Sequence, residues 1–560
     1  MPDQPRPAAD SGSTTFSNGA ASADLTPIPG LSHRRVLIII FALLLGLFLA
    51  ALDQTIVATA LPTIVADLHG ASHLSWIVVA YLLAATVSTP LWGKLGDQYG
   101  RKGFFQAAII IFLAGSILSG LSHTMIQLIA ARSFQGLGGG GLMVGTQAII
   151  GDIVSPRDRG RYQGYFGAVF GVSSVIGPLL GGVFVEQLSW RWIFYINIPI
   201  GAVALFVVGS QVPGHLRRIH HIIDYLGTIV LVLAATCLVL FTSLGGTTYR
   251  WASAPIIGLG VAGVVLIGVF ALAERRAVEP VLPLHLFSIR TFSVANFVGF
   301  VMGFAMFGAI TYLPVFFQVV RGESPTISGL QLLPLMFGML TFSIGSGQII
   351  SRTGRYRLFP IMGTGFVTIG LLLLSRMGIA SGPVAPVFNM FVLGMGVGSV
   401  MQVLVLIVQN SVPYSELGVA TAGATFFRSI GGSFGTAICG AIFSNVLVGN
   451  LVKHLGTARL PTGLSSSSVT PAILDKLPPA VHHSLAAAYA ESIQTVFLVV
   501  APVAFVAFLV AWLIPQLELR RVIPGQTPPD LGTTPSLPVP DLEAPALTPT
   551  MHRATPTNLT

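Results

Sequence analysis

The sequence predicts an all-α, polytopic membrane protein. Three observations carry this. Hydrophobic residues make up 53% of the 560 and charged residues only 9%, with a mean hydropathy of +0.81. Soluble domains carry about 25% charged residues. Apolar runs long enough to cross a bilayer recur along the chain, a span needing about 20 such residues. Basic residues gather in alternate connections between those runs, the bias that orients membrane helices. The net charge of +9 therefore reads as topology and not as nucleic-acid binding.

About fourteen spans are expected, and both termini then fall on one side. Residues 1–35 form a polar, disordered tail ending in His33, Arg34 and Arg35. The first span, 36–61, is almost wholly apolar around Asp53 and its neighbour Gln54. Spans two and three, 74–92 and 104–122, flank a short basic turn. The fourth, 126–150, carries Arg132 and a run of glycines from Gly136 to Gly141. The fifth, 162–186, contains Gly177, Pro178, Gly181 and Gly182, and the sixth covers 192–211. These six make an N-terminal bundle over 36–211. Segment 212–290 supplies two linker helices, 222–243 and 252–273. Segment 291–515 supplies a second bundle, with spans over 291–319, 327–350, 358–378, 384–411, 419–446 and 492–515. Its outer connection, 447–490, is long and contains a helical-looking Leu485–Tyr489 stretch; it caps an outer vestibule, meets an envelope partner or is a tolerated insertion. A Pro/Thr-rich tail, 516–560, closes the chain.

Arg34, Arg35, Lys94, Arg101, Lys102, Arg157, Arg159, Arg161, Arg217, Arg218, Arg275, Arg276, Arg352, Arg355 and Arg357 all fall in connections on one side, which the positive-inside rule makes cytoplasmic. No predicted outer loop contains an N-x-S/T acceptor, which favours a bacterial cell (inner) membrane. Cys237 and Cys439 lie in apolar runs and argue against a disulfide framework. His215, His220 and His221 lie in a basic loop and suggest a solvated or headgroup-facing role more than a metal site. No metal site and no nucleophile–base constellation stands out, so an enzyme is not expected.

An internal repeat is legible. Gly93 to Arg101 and Gly347 to Arg355 both read G-x6-G-R in an inner turn. Repeated halves around a midplane site are a transporter architecture. Asp53 is the residue that such an architecture needs explained. An ionised group inside a span costs a few kcal/mol and is by default functional. Asp53 lies 17 residues beyond Val36, about 25 Å from the inner end. Arg132 lies six residues beyond Ile126 on a helix running the other way, about 21 Å from the same end. The two are therefore expected to meet, either as a static ion pair or as a site where burial and an opposite charge balance proton affinity.

Several stretches resemble a known family. Leu52 to Pro62, Gly93 to Lys102, Arg132-Ser133-Phe134-Gln135-Gly136-Leu137-Gly138, Gly177-Pro178-Leu179-Leu180-Gly181-Gly182 and Trp190 to Pro199 resemble, in this order, motifs of the fourteen-helix drug/proton antiporter branch of the major facilitator superfamily. One departure is Ser173, four positions before Gly177, where the branch usually has glycine. The resemblance implies that Asp53 and Arg132 couple protons to export, and that the proton gradient supplies the energy without a cofactor. It also implies an inner charge latch built from Asp97, Arg101 and Lys102, with Arg157, Arg159 or Arg161 as partners. Ser351 stands where the second copy of the latch motif would have its acid, so that half's latch is expected to be weaker. The glycines of the fourth and fifth spans permit close helix contact.

The substrate cavity is read from polar and adaptable side chains: Gln54, Gln135, Gln147, Phe304, Phe307, Tyr312, Met336, Gln402 and Phe426. With no acidic residue evident in the middle of the second half, neutral or singly charged amphiphiles are expected over dications. The expected function is proton-coupled export of lipophilic compounds, with lipid, protons and substrate as partners. Two rivals remain at this point: an exporter of a native metabolite, siderophore or lipid, and a receptor or scaffold with a transporter fold.

Overall fold

The protein is described from a computed structural model. It covers residues 33–68, 74–154, 156–213, 224–246, 249–277, 280–323, 325–413, 416–455 and 479–519. Residues 1–32 and 520–560 of the predicted tails, residues 456–478 and the three loop histidines lie outside the described residues, while His33–Arg35 open the first helix.

Helices α1 (His33–Leu68), α2 (Leu74–Tyr99), α3 (Arg101–Gly120), α4 (Met125–Ile153), α5 (Pro156–Gln187), α6 (Trp192–Tyr195) and α7 (Asn197–Gln211) come first. Then follow α8 (Tyr225–Leu244), α9 (Ala254–Arg276), α10 (Arg290–Ile310), α11 (Tyr312–Val315), α12 (Pro325–Gln331), α13 (Leu333–Thr353), α14 (Leu358–Leu374), α15 (Val384–Ser411), α16 (Leu417–Leu455) and α17 (Pro479–Ala511).

The two parts of the chain pack by the same scheme. α1 lies on α5 and α2 on α4; correspondingly, α10 lies on α16 and α13 on α15. α8 and α9 form a pair that touches both parts through α2 and α16. The sequence repeat has a backbone counterpart. Gly100 and Gly354, the second glycines of the two copies, both adopt positive φ, +105° and +71°. A side chain is strained there, which explains glycine before the arginine in each turn.

Glycines let α4 wedge between two neighbours. A Cβ at Gly136 or Gly140 would strike the α2 backbone at Tyr81 or Ala85, whereas one at Gly138 would strike α3 at Ala108 and Phe112. Such contact replaces the hydrophobic drive that is absent between helices in lipid.

Among the described residues, 12 helices are long and apolar enough to cross a membrane. The expected fourteen are therefore not reached. The two expected spans that fall short do so for identifiable reasons. α4 is diluted by glycine, Arg132 and Asp152, and α14 has 17 residues. The outer connection is also shorter than the predicted 447–490, because α16 continues to Leu455 and α17 begins at Pro479. The sixth span is broken into α6 and α7 at Ile196, and the helix after α11 continues as a π turn over Phe316–Val320.

Candidate functional site: a buried ion pair and a charge latch

Asp53 and Arg132 meet. Arg132 Nη1 donates to Asp53 Oδ2 at 2.6 Å, and the two side chains are 0% and 2% exposed. Gln135, one turn along α4, closes a triangle. Its Oε1 accepts from Arg132 Nη1 at 2.9 Å, and its Nε2 donates to Asp53 Oδ1 at 2.8 Å. Arg132 also donates through Nε to the Ile77 carbonyl at 3.4 Å. Its guanidinium carbon lies 4.3 Å from the Tyr81 ring centroid and 5.7 Å from that of Phe194. The carboxylate is thus held on both oxygens, and the cation is covered by aromatic faces that favour it.

A second layer fixes Gln135. Its Nε2 donates to Ser116 Oγ at 3.3 Å, and Ser116 donates to the Phe194 carbonyl at 2.9 Å. Asn197 Nδ2 donates to the same hydroxyl at 3.0 Å. The Trp190–Pro199 stretch therefore anchors the site from the side. Trp190 Nε1 also donates to Asp67 near the end of α1 at 2.9 Å, with Arg191 paired to the same carboxylate at 3.3 Å. Sequence reasoning gave this stretch no role, since its effect passes through Ser116, an unremarkable serine in an apolar run.

The fifth-span motif abuts the site. Thr55, two residues after Asp53, donates to the Ser173 carbonyl at 2.9 Å. A Cβ at Gly177 would overlap the Thr55 side chain and come within 3.1 Å of the Ile56 nitrogen. The serine that departs from the family pattern is buried, and its hydroxyl turns back to the Val169 carbonyl at 2.8 Å. Close approach holds at Gly177 but not along the whole motif, because Gly182 has open space around it. Gly181 is buried, and Pro178 lies near Gly329 of α12.

At the basic end Asp97, Arg101 and Asp152 form a buried cluster. Arg101 Nε donates to Asp97 Oδ1 at 2.9 Å, and Arg101 Nη1 bridges to Asp152 Oδ1 and to the Ala148 carbonyl, the latter at 2.8 Å. The Asp97 carboxylate also lies against the first turn of α16, beside the Val419 N–H. Three expectations need correction. Lys102 is not in the latch: its Nζ donates to the Gly209 carbonyl at 2.8 Å, because it leaves α3 toward α7. Arg159 does not pair with Asp97; it donates to the Val154 and Gly151 carbonyls and reaches Gln409 Oε1 at 3.4 Å. The partner is Asp152, which its position near a predicted helix end had disguised. The side chains of Arg157 and Arg161 lie outside the description. In the second copy the Ser351 hydroxyl donates to the Gln348 carbonyl at 2.9 Å, a bond within its own turn.

The model of the Major Facilitator Superfamily matches residues 43–436 of this chain. The chain belongs to that superfamily. An uncharacterized MFS-type transporter of Mycobacterium tuberculosis is 45% identical over 494 residues, covering 88% of this chain and 72% of the relative. The multidrug transporter protein MdtP of Bacillus subtilis is 39% identical over 443 residues, covering 78% and 81%. Relatives of this kind place the chain in the drug-efflux branch. The solved structure of the proton:xylose symporter XylE matches with a TM-score of 0.58 at 14% identity, covering 87% of this chain and 97% of that one, which shows the fold. The protein is a multi-pass membrane transporter.

Within this major facilitator the expected cavity residues scatter. Gln135 belongs to the ion-pair network. Gln54 lies beside the Tyr81 hydroxyl. Phe307 is 39% exposed, while its ring approaches Gly432. Tyr312 is buried against the Phe443 ring at 5.1 Å. Phe304 and Phe426 are buried, Phe304 with its backbone against Gly435 and Phe426 with its ring on Phe427. Met336 packs beside Gly171 of α5, between the two parts. Gln147 and Gln402 are buried, and each has an Oε1 atom without a hydrogen-bond partner. One charged residue was missed altogether: Arg428, eleven residues into α16. The rule that singled out Asp53 applies to it equally.

Proposed function

We propose that the protein is a proton-coupled exporter of lipophilic compounds, working by alternating access in a cell (inner) membrane with both termini cytoplasmic. The observation that carries this reading is the Asp53–Arg132–Gln135 triangle, a fully buried carboxylate whose counter-charge sits on another helix. Proton uptake would neutralise Asp53 and release Arg132 from it. The triangle joins α1 to α4, so relative movement of these helices makes or breaks the contact between the carboxylate and Arg132. Substrate, protons and lipid are its partners, and no cofactor has a role in this scheme.

The cluster at the basic end acts as the inner gate. It pins α2 to α4 by charge and sets the Asp97 carboxylate at a helix N-terminus of the second half, where partial positive charge favours it. Gln409 adds to the closure by donating to the Gln147 carbonyl at 3.5 Å. We also assign α4 and α14 as spans, which makes fourteen. α4 carries Arg132 to the depth of Asp53 and packs along α2 and α3, so it shares their course through the bilayer.

Reconstituted vesicles with an internal pH reporter test this. An imposed proton gradient is expected to drive a lipophilic dye against its own gradient, and dye addition alone is expected to move protons. Dye flux without proton movement would overturn antiport. Dye binding without flux would favour the receptor reading.

A further inference from the structure

Arg428 is a cation placed inside a span with no acid to explain it. It lies eleven residues beyond Leu417, about 16 Å from the basic end of α16. The residue is half-buried, so its side chain keeps part of its surface open. None of its donors has a hydrogen-bond or ion-pair partner among the described residues. A guanidinium has five N–H donors and no neutral form in this range. A charge in that position is costly unless it meets a counter-charge or water.

Its direction is set by the helix. Thr421, Thr425, Arg428 and Gly432 recur at spacings of four, three and four, a single stripe on α16. Thr421, Thr425 and Gly432 are buried, and Thr421 accepts from Gln409 of α15 at 3.0 Å. Ile438, which is 37% exposed, lies about 80° away around the helix. Arg428 therefore shares a stripe with the buried Thr421, Thr425 and Gly432.

A similar depth holds unsatisfied polar atoms on two other helices of the second half. Gln402 Oε1 of α15 is buried without a partner, about 14 Å from the basic end of its helix. Ser343 Oγ of α13 is buried without a partner at about 15 Å. Ser343 also lies against Gly167 of α5, so this level borders the first half. Buried polar atoms left unmatched at one height, with a cation beside them on the same level, are groups that a polar ligand could satisfy.

We propose that Arg428 receives the single negative charge of a lipophilic carboxylate, so that the transported class is monoanionic or zwitterionic amphiphiles. Gln402 and Ser343 accept from N–H or O–H groups on the same ligand. This rests on the exporter reading and narrows its cargo. It narrows the expectation from the sequence, in which the missing acid favoured neutral or singly charged amphiphiles over dications.

The test uses 1-pyrenebutyrate and its primary amide, which differ in charge and little in shape. Binding of each to the purified full-length protein is read by fluorescence, with no gradient present. Wild type is expected to prefer the acid by about tenfold, the size of one charge-assisted hydrogen-bond pair. Arg428→Gln is expected to collapse that ratio to near one, while Arg428→Lys keeps part of it; thermal melts of all three confirm folding. Equal affinity for acid and amide in wild type, no acid binding, or a preserved ratio in Arg428→Gln would each overturn the proposal. Export of the amide by wild-type vesicles without acid preference sinks this inference and leaves the exporter reading standing. Acid-selective binding without any gradient-driven flux does the reverse.

Discussion

The carboxylate of Asp97 occupies the space that a side chain at Gly418 would need: a Cβ built there falls on both carboxylate oxygens. Residue 418 opens α16 in the second half, whereas Asp97 ends α2 in the first. Glycine at 418 is thus a condition of the latch. A Gly418→Val variant is expected to expel Asp97 and loosen the basic end. A reporter cysteine at Thr421, buried in wild type, should then become reactive to an impermeant maleimide applied from the basic side. Unchanged labelling would show that Asp97 does not hold the gate.

The buried pair makes two separable claims, one on coupling and one on stability. Asp53→Asn keeps the size of the side chain but cannot exchange a proton. It is expected to abolish gradient-driven export while leaving expression and dye binding in place. Full gradient-driven export by this variant would remove Asp53 as carrier. Removing the cation alone, as in Arg132→Met, leaves a buried carboxylate uncompensated and is expected to cost about 3–5 kcal/mol. The double variant Asp53→Leu/Arg132→Met should recover stability without recovering coupling. A thermal melt and a proton-flux assay on the same preparations read the two effects apart.

Much of this site was legible before the structure, because charge in an apolar run is conspicuous and helix rise converts position into height. Asp53 and Arg132 were matched that way. The supporting residues were not, for a physical reason: Ser116 and Asn197 are cheap enough in a span to raise no alarm, Gln135 was read as a cavity residue, and their shared role appears only when α3, α4 and α7 are brought side by side. Asp152 was read as an interfacial end residue, but α4 extends to Ile153 and carries it inside. Arg428 was as legible as Asp53, since it too is a charge in a largely apolar span. The break at Ile196 and the π turn at Phe316–Val320 left no periodicity signal, since Asn197 and Gln318 are single polar residues in otherwise apolar surroundings. The repeat was visible in letters, and the shared positive φ of Gly100 and Gly354 gives it a cause.

The fifth-span motif separates into positions that touch and positions that do not. Gly177 has the Thr55 side chain and the Ile56 nitrogen within its reach, whereas nothing lies within 4 Å of a Cβ at Gly182. Gly177→Val is therefore expected to push α5 from α1 two residues past Asp53, raising passive proton leak and reducing coupling. Gly182→Val should behave like wild type. Ser173→Gly should be nearly neutral, because it is the backbone carbonyl of Ser173 that Thr55 uses. Leak and coupling are measured in the same vesicles. Equal effects at 177 and 182 would show that the motif acts through something other than contact with α1.

The span count has a test that the termini cannot provide. Fourteen spans and twelve both place the two tails on the same side, so labelling the tails checks only that the number is even. The loops between α4 and α14 do distinguish them. If α4 crosses the bilayer, six spans precede Arg217 and seven precede Arg250. Arg217 is then cytoplasmic and Arg250 external, as the basic cluster at Arg217 and Arg218 requires. If α4 does not cross, both assignments invert, and they are restored only after α14. Cysteines at Arg217 and at Arg250 are therefore expected to react with an impermeant reagent from opposite sides, with Arg250→Cys labelled from outside intact cells. Labelling of Arg217→Cys from outside would remove α4 as a span, and would also contradict the depth at which Arg132 meets Asp53.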